Sequence, residues 1–535
     1  MRVSGLLHSA ANRLRMPFAF LVPLLILNLP ADPANWTGAG LIKLPAEIWL
    51  IILVLVLTKG TYFAITRLFV TIILALLLLL KLADIGTYTA FSRPFNPVLD
   101  GKLLVDGWIV LSGTVGQAQA SLFLLASLLC FVLVVSLTFW SLRVFRDTGE
   151  RRLFIIVSGL GLVVFGAIAL FHPGNGLVEA QTAPLIVDRV ALVQRSLADR
   201  HAFEKLLAND PVGEIPADRR LNAFKGKDVI VIFIESYGES AVHDPRYAGL
   251  IGARLEAIEK ELAAAGLGAR SGWLVSPTSG GLSWLAHGTL LSGLWIDSQQ
   301  RYDRLIASER PSLNRLFRAA GWRSVAVMPA ITMDWPEAGH FGYDAVYAAN
   351  NLGYRGKPFN WVTMPDQYTL STFQTLERGS PHRPVMAEIA LISSHAPWTP
   401  IPKLLDWSAI GDGTIFNGQA MEGDPPDVVW RDQDRVRKQY AASIDYVLEV
   451  LGSYMARHGR DTVFILLGDH QPAPMITGPD ASRAVPVHIV SDDPTLLGRL
   501  DAEKWRPGMT PGRQQAPERM SEFRQELVRR FSDPH

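Results

Sequence analysis

Three apolar runs of the chain are followed closely by residues that can bind a metal ion. Glu235, His395 and the Asp469-His470 pair each lie within three residues of the end of such a run. Carboxylate oxygen favours harder ions such as Mn2+ and Mg2+, whereas imidazole nitrogen favours Zn2+. If the runs are neighbouring strands, we expect Glu235, Asp469 and His470 to hold one divalent cation. His395 would then orient a substrate or protonate a leaving group; the alternative is a histidine whose hydrogen bonds are satisfied within its own loop.

A serine at the start of a predicted helix offers a nucleophile for the same site. Residues 279–283 read Ser-Gly-Gly-Leu-Ser and lead into an apolar helix predicted over 284–291. Free N–H groups at a helix N-terminus attract anions such as phosphate. A cation beside Ser283 would also make its hydroxyl easier to deprotonate. We therefore predict that Ser283 is both the fourth metal ligand and the nucleophile; the alternative is that it only caps the helix.

The surrounding pattern is typical of an α/β domain with a mostly parallel sheet. Continuous apolar runs bounded by turns predict buried strands, and they alternate with segments of helical periodicity. Open sheets of this kind bind ligands at the carboxyl ends of their strands, which is where Glu235, His395 and Asp469 fall. The predicted strands are 229–234, 324–329, 385–392 and 462–467, and the predicted helices are 253–265, 312–320 and 433–457.

The first third of the chain is much more apolar. A helix that spans a membrane needs about 20 largely apolar residues, and five stretches approach that length, the first two being short. They predict an N-terminal α-helical transmembrane bundle of about five spans. A cleaved signal peptide is the alternative for the first stretch, but no small-residue cleavage site precedes Pro30. The five stretches are 17–30, 44–58, 68–83, 118–140 and 153–171.

The chain is thus expected to contain a transmembrane domain at 1–172, a juxtamembrane connector at 173–226 and a catalytic domain at 227–535. The connector has helical periodicity, and a loosely held linker is the alternative. The long loop at 84–116 could pack against the catalytic domain.

Basic residues in alternate loops predict the orientation, because loops rich in Lys and Arg stay in the cytoplasm. This places the N-terminus inside and the catalytic domain in the periplasm or outside the cell, in a multi-pass protein of a bacterial inner membrane. The expected inner residues are Arg2, Arg13, Arg15, Lys59, Arg67, Arg143, Arg146, Arg151 and Arg152, and the fewer outer ones are Lys43, Arg93 and Lys102.

Composition excludes several other classes of protein. The formal net charge is +1 and charged residues make up 19% of the chain, without a basic stripe, so no nucleic-acid partner is expected. Cys130 is the single cysteine, which rules out disulfides within the chain and Cys-x-x-Cys metal or redox sites.

Five short motifs in this order resemble the membrane-anchored branch of the alkaline-phosphatase/sulfatase superfamily, in particular lipoteichoic acid synthases and phosphoglycerol transferases. Each motif alone is weakly specific, but the order and spacing are more so. The resemblance covers most of the chain. The motifs are Phe233-Ile234-Glu235-Ser236, Gly280-Gly281-Leu282-Ser283, Gly342-Tyr343-Asp344, Ser394-His395-Ala396-Pro397-Trp398 and Gly468-Asp469-His470.

The resemblance implies a metal-dependent transferase that moves a phosphoglycerol-like group from a membrane phospholipid to a glycan, glycolipid or glycerol acceptor. It implies Glu235, Asp469 and His470 as ligands of Mn2+, Mg2+ or Zn2+. Ser283 stands where the family keeps its nucleophile, commonly a threonine, and His395 where it contacts the substrate. Such enzymes form a covalent phospho-intermediate on the hydroxyl.

Two departures narrow this interpretation. The synthases carry a substrate-binding arginine before the Gly-Tyr-Asp motif, and residues 333–337 contain none. Either the head group differs from glycerol phosphate, or Arg355 replaces this arginine from the other side. True sulfatases need Cys or Ser followed by x-Pro-x-Arg, whereas Ser283 is followed by Trp-Leu-Ala-His. Hydrolysis of sulfate esters is therefore not expected. His287, His340 and Trp398 are weaker candidates for substrate contact, and a packed helix histidine is the alternative for His287.

Other functions of the same fold remain open at this stage. Phosphoethanolamine transferases share the layout but usually contain several disulfides. A phosphodiester or phosphonate hydrolase would use the same ligands and nucleophile. A catalytically inactive lipid sensor would keep the fold but would have no need for two clustered carboxylates.

Overall fold

The fold is described from a computed structural model of the chain. The structure describes residues 16–31, 36, 45–91, 93–98, 100–101, 107–108, 111–112, 116–147, 151–171, 182–379, 381–478 and 480–533. Within these ranges the chain divides into two compact units, Met1–His201 and Ala202–His535. Arg2, Arg13, Arg15, Lys43 and Lys102, which enter the orientation argument, lie outside the described residues, as do parts of the 84–116 loop and the start of the connector.

The N-terminal unit consists of apolar helices. Three helices are long and apolar enough to cross a membrane, and two shorter apolar helices precede them. This confirms the predicted bundle and the shortness of its first two members. The helices are α1 (Met16–Asn28), α2 (Ala46–Leu57), α3 (Gly60–Phe91), α4 (Gln117–Ser141), the short Val144–Asp147, and α5 (Arg151–Phe171).

A buried ion pair fastens part of the long 84–116 loop within this unit. Asp84, near the end of α3, accepts two hydrogen bonds from Arg189 Nη2, at 2.9 and 2.8 Å, and one from the backbone N–H of Phe95 at 2.8 Å. Arg189 lies on α6 (Thr182–Ala208). The periodicity predicted for the connector is therefore that of a helix.

The C-terminal unit is built on a nine-stranded sheet with the order β4-β3-β5-β1-β6-β7-β2-β8, and β9 pairs with β2. The half formed by β4, β3, β5, β1 and β6 is parallel, whereas β7, β2 and β8 pair antiparallel with their neighbours. The strands are β1 (Asp228–Ile234), β2 (Gly268–Val275), β3 (Arg323–Met328), β4 (Ala345–Ala348), β5 (Val385–Leu391), β6 (Thr462–Gly468), β7 (Ala484–Ser491), β8 (Arg506–Pro507) and β9 (Glu518–Arg519).

Helices cover both faces of the sheet, which confirms the predicted α/β class. Alternate residues of β1 face opposite sides: Ile230, Ile232 and Ile234 join one apolar core, and Val229, Val231 and Phe233 join the other. A strand buried on both faces must be apolar throughout, which explains the continuous run. The longer helices are α7 (Ala248–Ala264), α8 (Ser283–Ser292), α9 (Gln299–Ile306), α10 (Leu313–Ala319), α11 (Asp366–Glu377), α12 (Gln433–His458) and α13 (Met520–Phe531).

The order β5-β1-β6 determines where the functional residues meet. These three neighbouring strands are parallel, so their carboxyl ends lie at one edge of the sheet. Ile234 at the end of β1 pairs with Leu391 of β5 on one side and with Gly468 of β6 on the other. The segments that carry Glu235, His395 and Asp469 therefore leave the sheet side by side.

A buried carboxylate holds the turn after β5. Asp366, at the start of α11, is fully buried and accepts hydrogen bonds from the backbone N–H groups of Ile392 and Ser393, at 2.9 and 3.1 Å. Burial raises the pKa of Asp366 to about 7, although these hydrogen bonds act in the opposite direction.

This buried acid predicts a pH dependence of stability. In the folded chain Asp366 keeps its proton up to about pH 7, whereas the unfolded value is 3.8. The unfolded state then binds fewer protons between these two values, so Asp366 makes stability fall as pH rises through that window. We expect Asp366→Asn to remove this contribution. The measurement is denaturant unfolding of the full-length wild type and Asp366→Asn in detergent, from pH 4 to 8. The difference between their unfolding free energies should change up to about pH 7 and then level off. A difference that stays constant with pH would contradict the assignment.

Candidate metal and nucleophile site

Four side chains converge at the edge of the sheet where β1 and β6 end. The Ser283 Oγ lies 3.1 Å from Glu235 Oε2 and 3.1 Å from His470 Nε2. His470 Nε2 lies 3.5 Å from Glu235 Oε1 and 3.7 Å from Asp469 Oδ2. Glu235, Asp469 and His470 each offer one ligand atom, and these atoms lie within 4.8 Å of one another. The structure therefore brings together all four residues predicted as metal ligands.

The backbone turns sharply after Glu235 so that its carboxylate faces the cluster. Ser236 adopts a left-handed conformation with φ of 58°, which is uncommon for a residue other than glycine. Its backbone N–H donates to Asp469 Oδ1 at 2.9 Å, and its hydroxyl donates to Glu235 Oε1 at 2.7 Å. A strained residue that binds both carboxylates fits a functional position, and sequence reasoning did not single it out.

The end of β6 aims Asp469 and His470 at the same point. His470 Nδ1 lies 2.8 Å from the Gln471 carbonyl oxygen, so Nδ1 carries the proton and Nε2 keeps a lone pair for a metal ion. Metal-binding histidines are commonly oriented in this way. Gly468 must precede the pair, because a Cβ there would lie 1.8 Å from the Tyr237 carbonyl oxygen.

The loop before Ser283 is tied to the segment that carries His470. The Gly280 N–H donates to the Gln471 carbonyl oxygen at 2.7 Å, and Thr278 Oγ1 donates to the Gly281 carbonyl oxygen at 2.6 Å. Gly280, Gly281 and Leu282 all have positive φ, at 74°, 141° and 64°. The two glycines adopt such values at little cost, which explains their presence in this turn.

Ser283 is the first residue of α8 and does not cap it. The cap position is Leu282, which has no side-chain hydrogen bond to the helix. The Ser283 hydroxyl is instead bonded to Glu235 and His470. It therefore lies beside the free N–H groups of a helix N-terminus, where an anion is favoured.

The cluster concentrates negative charge in a buried place. Burial and the charge of Glu235 raise the pKa of Asp469 to about 6, while His470 and His287 act in the opposite direction. Burial alone would raise the pKa of Glu235, but the charges of His470 and His395 outweigh it and the pKa is lowered. Burial likewise acts to lower the pKa of His470, and the charges of Asp469 and Glu235 reverse this.

These residues fit a small divalent cation. Two ligands at about 2.1 Å from a tetrahedral ion lie about 3.4 Å apart. The contacts of Ser283 with Glu235 and His470, and of His470 with Glu235 and Asp469, measure 3.1–3.7 Å, and one ligand atom each of Glu235, Asp469 and His470 lies within 4.8 Å of the others. A cation would also remove the repulsion between two neighbouring carboxylates. The donor set of carboxylate oxygen, imidazole nitrogen and hydroxyl oxygen suits Zn2+, Mn2+ or Mg2+.

His395 lies at the open side of this cluster. It is exposed, and its charge acts on Glu235. The Ser394 hydroxyl donates to the Glu235 carbonyl oxygen at 2.6 Å, which joins the two segments. An exposed imidazole beside a buried site can contact a substrate that enters from solvent.

Trp398 braces the turn behind His395. It is 3% exposed, its Nε1 donates to the Ser394 carbonyl oxygen at 2.7 Å, and its ring stacks on Trp430 with centroids 5.9 Å apart. These contacts leave little of the ring for a substrate. The structure therefore places Trp398 in a supporting position, and the half-exposed Trp430 covers it.

Two other candidates for substrate contact, His340 and Arg355, make their hydrogen bonds elsewhere in the domain. His340 is buried with its ring edge against Phe341, and its carbonyl oxygen accepts a hydrogen bond from Arg315 at 2.6 Å. Arg355 is exposed on a loop, where its N–H donates to the Asp412 carbonyl oxygen at 2.9 Å. Neither residue contacts Glu235, Ser283, Asp469 or His470 in the described hydrogen bonds.

His287 lies next to the cluster, in a network that sequence reasoning missed. Its Nδ1 lies 2.7 Å from Glu388 Oε1, and the other carboxylate oxygen, Oε2, accepts a hydrogen bond from the Tyr343 hydroxyl. Glu388 is the charged residue of the otherwise apolar strand Val385–Leu391. An acid inside a strand predicted to be buried was the signal that could have revealed it, since such a residue needs a partner.

Residues 227–484 match the family model described as Sulfatase. This match agrees with the resemblance of the short motifs. The comparison with curated proteins found no match.

Several solved structures resemble the chain at low sequence identity. The lipoteichoic acid synthase LtaP from Listeria monocytogenes is 16% identical with a TM-score of 0.36; the match covers 50% of this chain and 66% of LtaP, just under two thirds. The phosphoglycerol transferase GacH from Streptococcus pyogenes is 13% identical, with coverages of 62% and 80% and a TM-score of 0.39. The periplasmic domain of EptC from Escherichia coli, complexed with Zn, is 13% identical, with coverages of 60% and 84% and a TM-score of 0.37.

Proposed function

We propose that the chain is a metal-dependent phosphotransferase that acts on a membrane lipid. In this proposal it moves a phosphoglycerol-like group from a phospholipid to a glycan, glycolipid or glycerol acceptor through a phosphoserine at Ser283. The observation that carries the proposal is the position of the Ser283 hydroxyl, 3.1 Å from both Glu235 and His470 at the start of a helix. A hydroxyl used only for packing would have no reason to meet both a carboxylate and an imidazole.

The side chains have separate tasks in this reaction. Glu235, Asp469 and His470, with the Ser283 oxygen, would hold one Mn2+, Mg2+ or Zn2+. When bound, such a cation makes a neighbouring hydroxyl more acidic and offsets the charge that develops on phosphoryl oxygens. Ser283 attacks the phosphorus, and the N–H groups at the start of α8 orient the phosphoryl oxygens. His395 protonates the oxygen that leaves.

The apolar N-terminal helices support a lipid donor. A phospholipid does not leave the bilayer, so a catalytic domain on the same chain as membrane helices works at a high effective concentration of its donor. We infer that the domain faces the periplasm or the outside of the cell, where envelope glycans are available as acceptors.

Transfer and hydrolysis differ in their response to an acceptor. The full-length protein, loaded with Mn2+ in detergent micelles, is incubated with fluorescent phosphatidylglycerol, with and without glycerol or a glycan acceptor. A transferase releases diacylglycerol much faster with acceptor and labels the acceptor. Equal release with and without acceptor would instead indicate a phosphodiesterase. No release under any condition, and none with phosphatidylethanolamine, would support an inactive lipid sensor.

A further inference from the structure

A buried carboxylate lies in the middle of β5, close to the nucleophile. Glu388 is 1% exposed. Removing a carboxylate from water is costly unless it is paired and hydrogen-bonded. Among the described residues, its side-chain partners are the Tyr343 hydroxyl and His287 Nδ1. Packing of His287 does not by itself require a buried acid, so the Glu388–His287 pair indicates a functional role.

The sheet register places Glu388 beneath helix α8. Glu388 pairs with Val231 of β1, so both side chains lie on the face of the sheet that also carries Phe233 and Glu235. The His287 ring stacks on Phe233, with centroids 3.7 Å apart and planes at 18°. Stacking on one side and a hydrogen bond at Nδ1 fix both the position and the rotation of the ring.

His287 follows Ser283 by one helical turn. Side chains at i and i+4 lie on the same face of a helix, with Cβ atoms about 5–6 Å apart, and helical side chains lean towards the N-terminus. The imidazole is also close enough for its charge to act on Asp469. The carboxylate at Nδ1 selects the tautomer with a proton on Nδ1 and a lone pair on Nε2, which is the form that a general base needs.

We propose that His287 is a further catalytic residue, the base that accepts the Ser283 proton, and that Glu388 and Tyr343 are its positioning residues. This inference rests on the proposed function. In the first step the Ser283 Oγ–P bond forms, the Oγ proton moves to His287 Nε2, and the P–O bond to diacylglycerol breaks as His395 protonates the departing oxygen. In the second step the acceptor oxygen bonds to phosphorus and its proton moves to His395. The Ser283 Oγ–P bond breaks, and His287 returns its proton to Oγ.

The direct test uses the Mn2+-loaded full-length protein in micelles, with fluorescent phosphatidylglycerol as donor and glycerol as acceptor. We expect His287→Ala to slow diacylglycerol release by about 10²–10⁴-fold, the usual contribution of a general base. Bound Mn2+ should stay the same, and added imidazole should restore part of the rate. The melting temperature should fall, because Glu388 loses a partner, so rates are compared at a temperature where both proteins are folded. His287→Phe keeps the stacking on Phe233, so it should show the same loss without rescue. A rate within threefold of wild type in either variant would overturn the proposal.

Glu388→Gln provides a test that leaves the His287 ring in place, in case the histidine variants fold poorly. An amide in place of the carboxylate no longer selects the tautomer, so we expect at least a tenfold loss of rate and a changed pH–rate profile. Unchanged kinetics would show that Glu388 positions nothing. Tyr343→Phe keeps the carboxylate and should lose less than Glu388→Gln.

A spectroscopic readout separates this inference from the proposed function. In full-length protein labelled with 15N-histidine, the His287 resonances, identified by their loss in His287→Phe, should show an unprotonated Nε2 and a protonated Nδ1. The opposite tautomer would overturn the inference even if the protein is an active transferase. Conversely, the proposed function would be overturned if the wild-type protein had no transferase activity, or if Ser283→Ala left its activity unchanged. The catalytic task of His287 would then fail with it.

Discussion

Ser283→Ala is expected to lower the rate of diacylglycerol release by about 10⁴-fold or more, the loss seen when a catalytic nucleophile is removed. The variant lacks the oxygen that lies 3.1 Å from Glu235 and from His470. It keeps the helix, because the cap position is Leu282 and the Ser283 side chain makes no capping hydrogen bond. The measurement is the rate of release from fluorescent phosphatidylglycerol, together with the melting temperature.

Ser298→Ala is the matched control for this prediction. Ser298 does cap its helix, since its side chain accepts the Arg301 N–H at the start of α9. Its loss should cost about 1 kcal/mol of stability and leave the turnover of folded protein unchanged. Were Ser283→Ala to lose stability like Ser298→Ala and keep its activity, Ser283 would be a structural serine and not a nucleophile.

Asp469→Asn is expected to remove most of the stabilisation that a divalent cation gives. In the wild type, Mn2+ at 100 times its dissociation constant should raise the free energy of unfolding by about 2.7 kcal/mol. The variant keeps the shape of the side chain but loses the charge that the cation neutralises, and with it about 100-fold or more in affinity. At the same concentration the gain then falls to about 0.4 kcal/mol. Thermal melts with and without Mn2+, after removal of bound metal by a chelator, measure both values.

A carboxylate outside the cluster gives the control. Asp445 pairs with Arg254 at 2.7 Å on the surface between α7 and α12. Asp445→Asn should therefore keep the full response to Mn2+. An equal Mn2+ response in the wild type, Asp469→Asn and Asp445→Asn would mean that the ion binds elsewhere, and the metal assignment would fail.

Four strands of the parallel half, β1, β3, β5 and β6, were predictable because they are buried on both faces; the half-buried edge strand β4 was not predicted. Their continuous apolar runs ended at Glu235, near His395 and near Asp469, and the rule that parallel strands present ligands at their carboxyl ends brought these residues together. The predicted boundary of β1 differs by one residue from Asp228–Ile234.

The antiparallel half was missed for local reasons. β2 contains Gly268 and Gly272, which are unfavourable in strands, and β7 contains Pro486, which normally argues against a strand inside a sheet. The long-range pairing of these segments overrides their weak local preference: Trp273 and Pro486 are register partners. No local pattern in the sequence predicts such a pairing.

The inner part of the site was also beyond sequence reasoning. Ser236 meets Asp469 only because the backbone turns through a left-handed conformation at the end of β1. His287 and Glu388 are 101 residues apart in the chain and become partners through helix-on-sheet packing. Spacing along the chain identified the ends of strands, but it could not identify contacts between a helix and the middle of a strand.

The most direct test of the central claim is to locate the covalent intermediate. Full-length protein with Mn2+ is mixed with phosphatidylglycerol without acceptor, quenched in acid, digested and mapped by mass spectrometry. We expect a glycerol-phosphate adduct on Ser283 that disappears on addition of acceptor and does not form in Ser283→Ala or after chelation of the metal. An adduct on another residue, or turnover that neither Ser283→Ala nor chelation slows, would contradict the account.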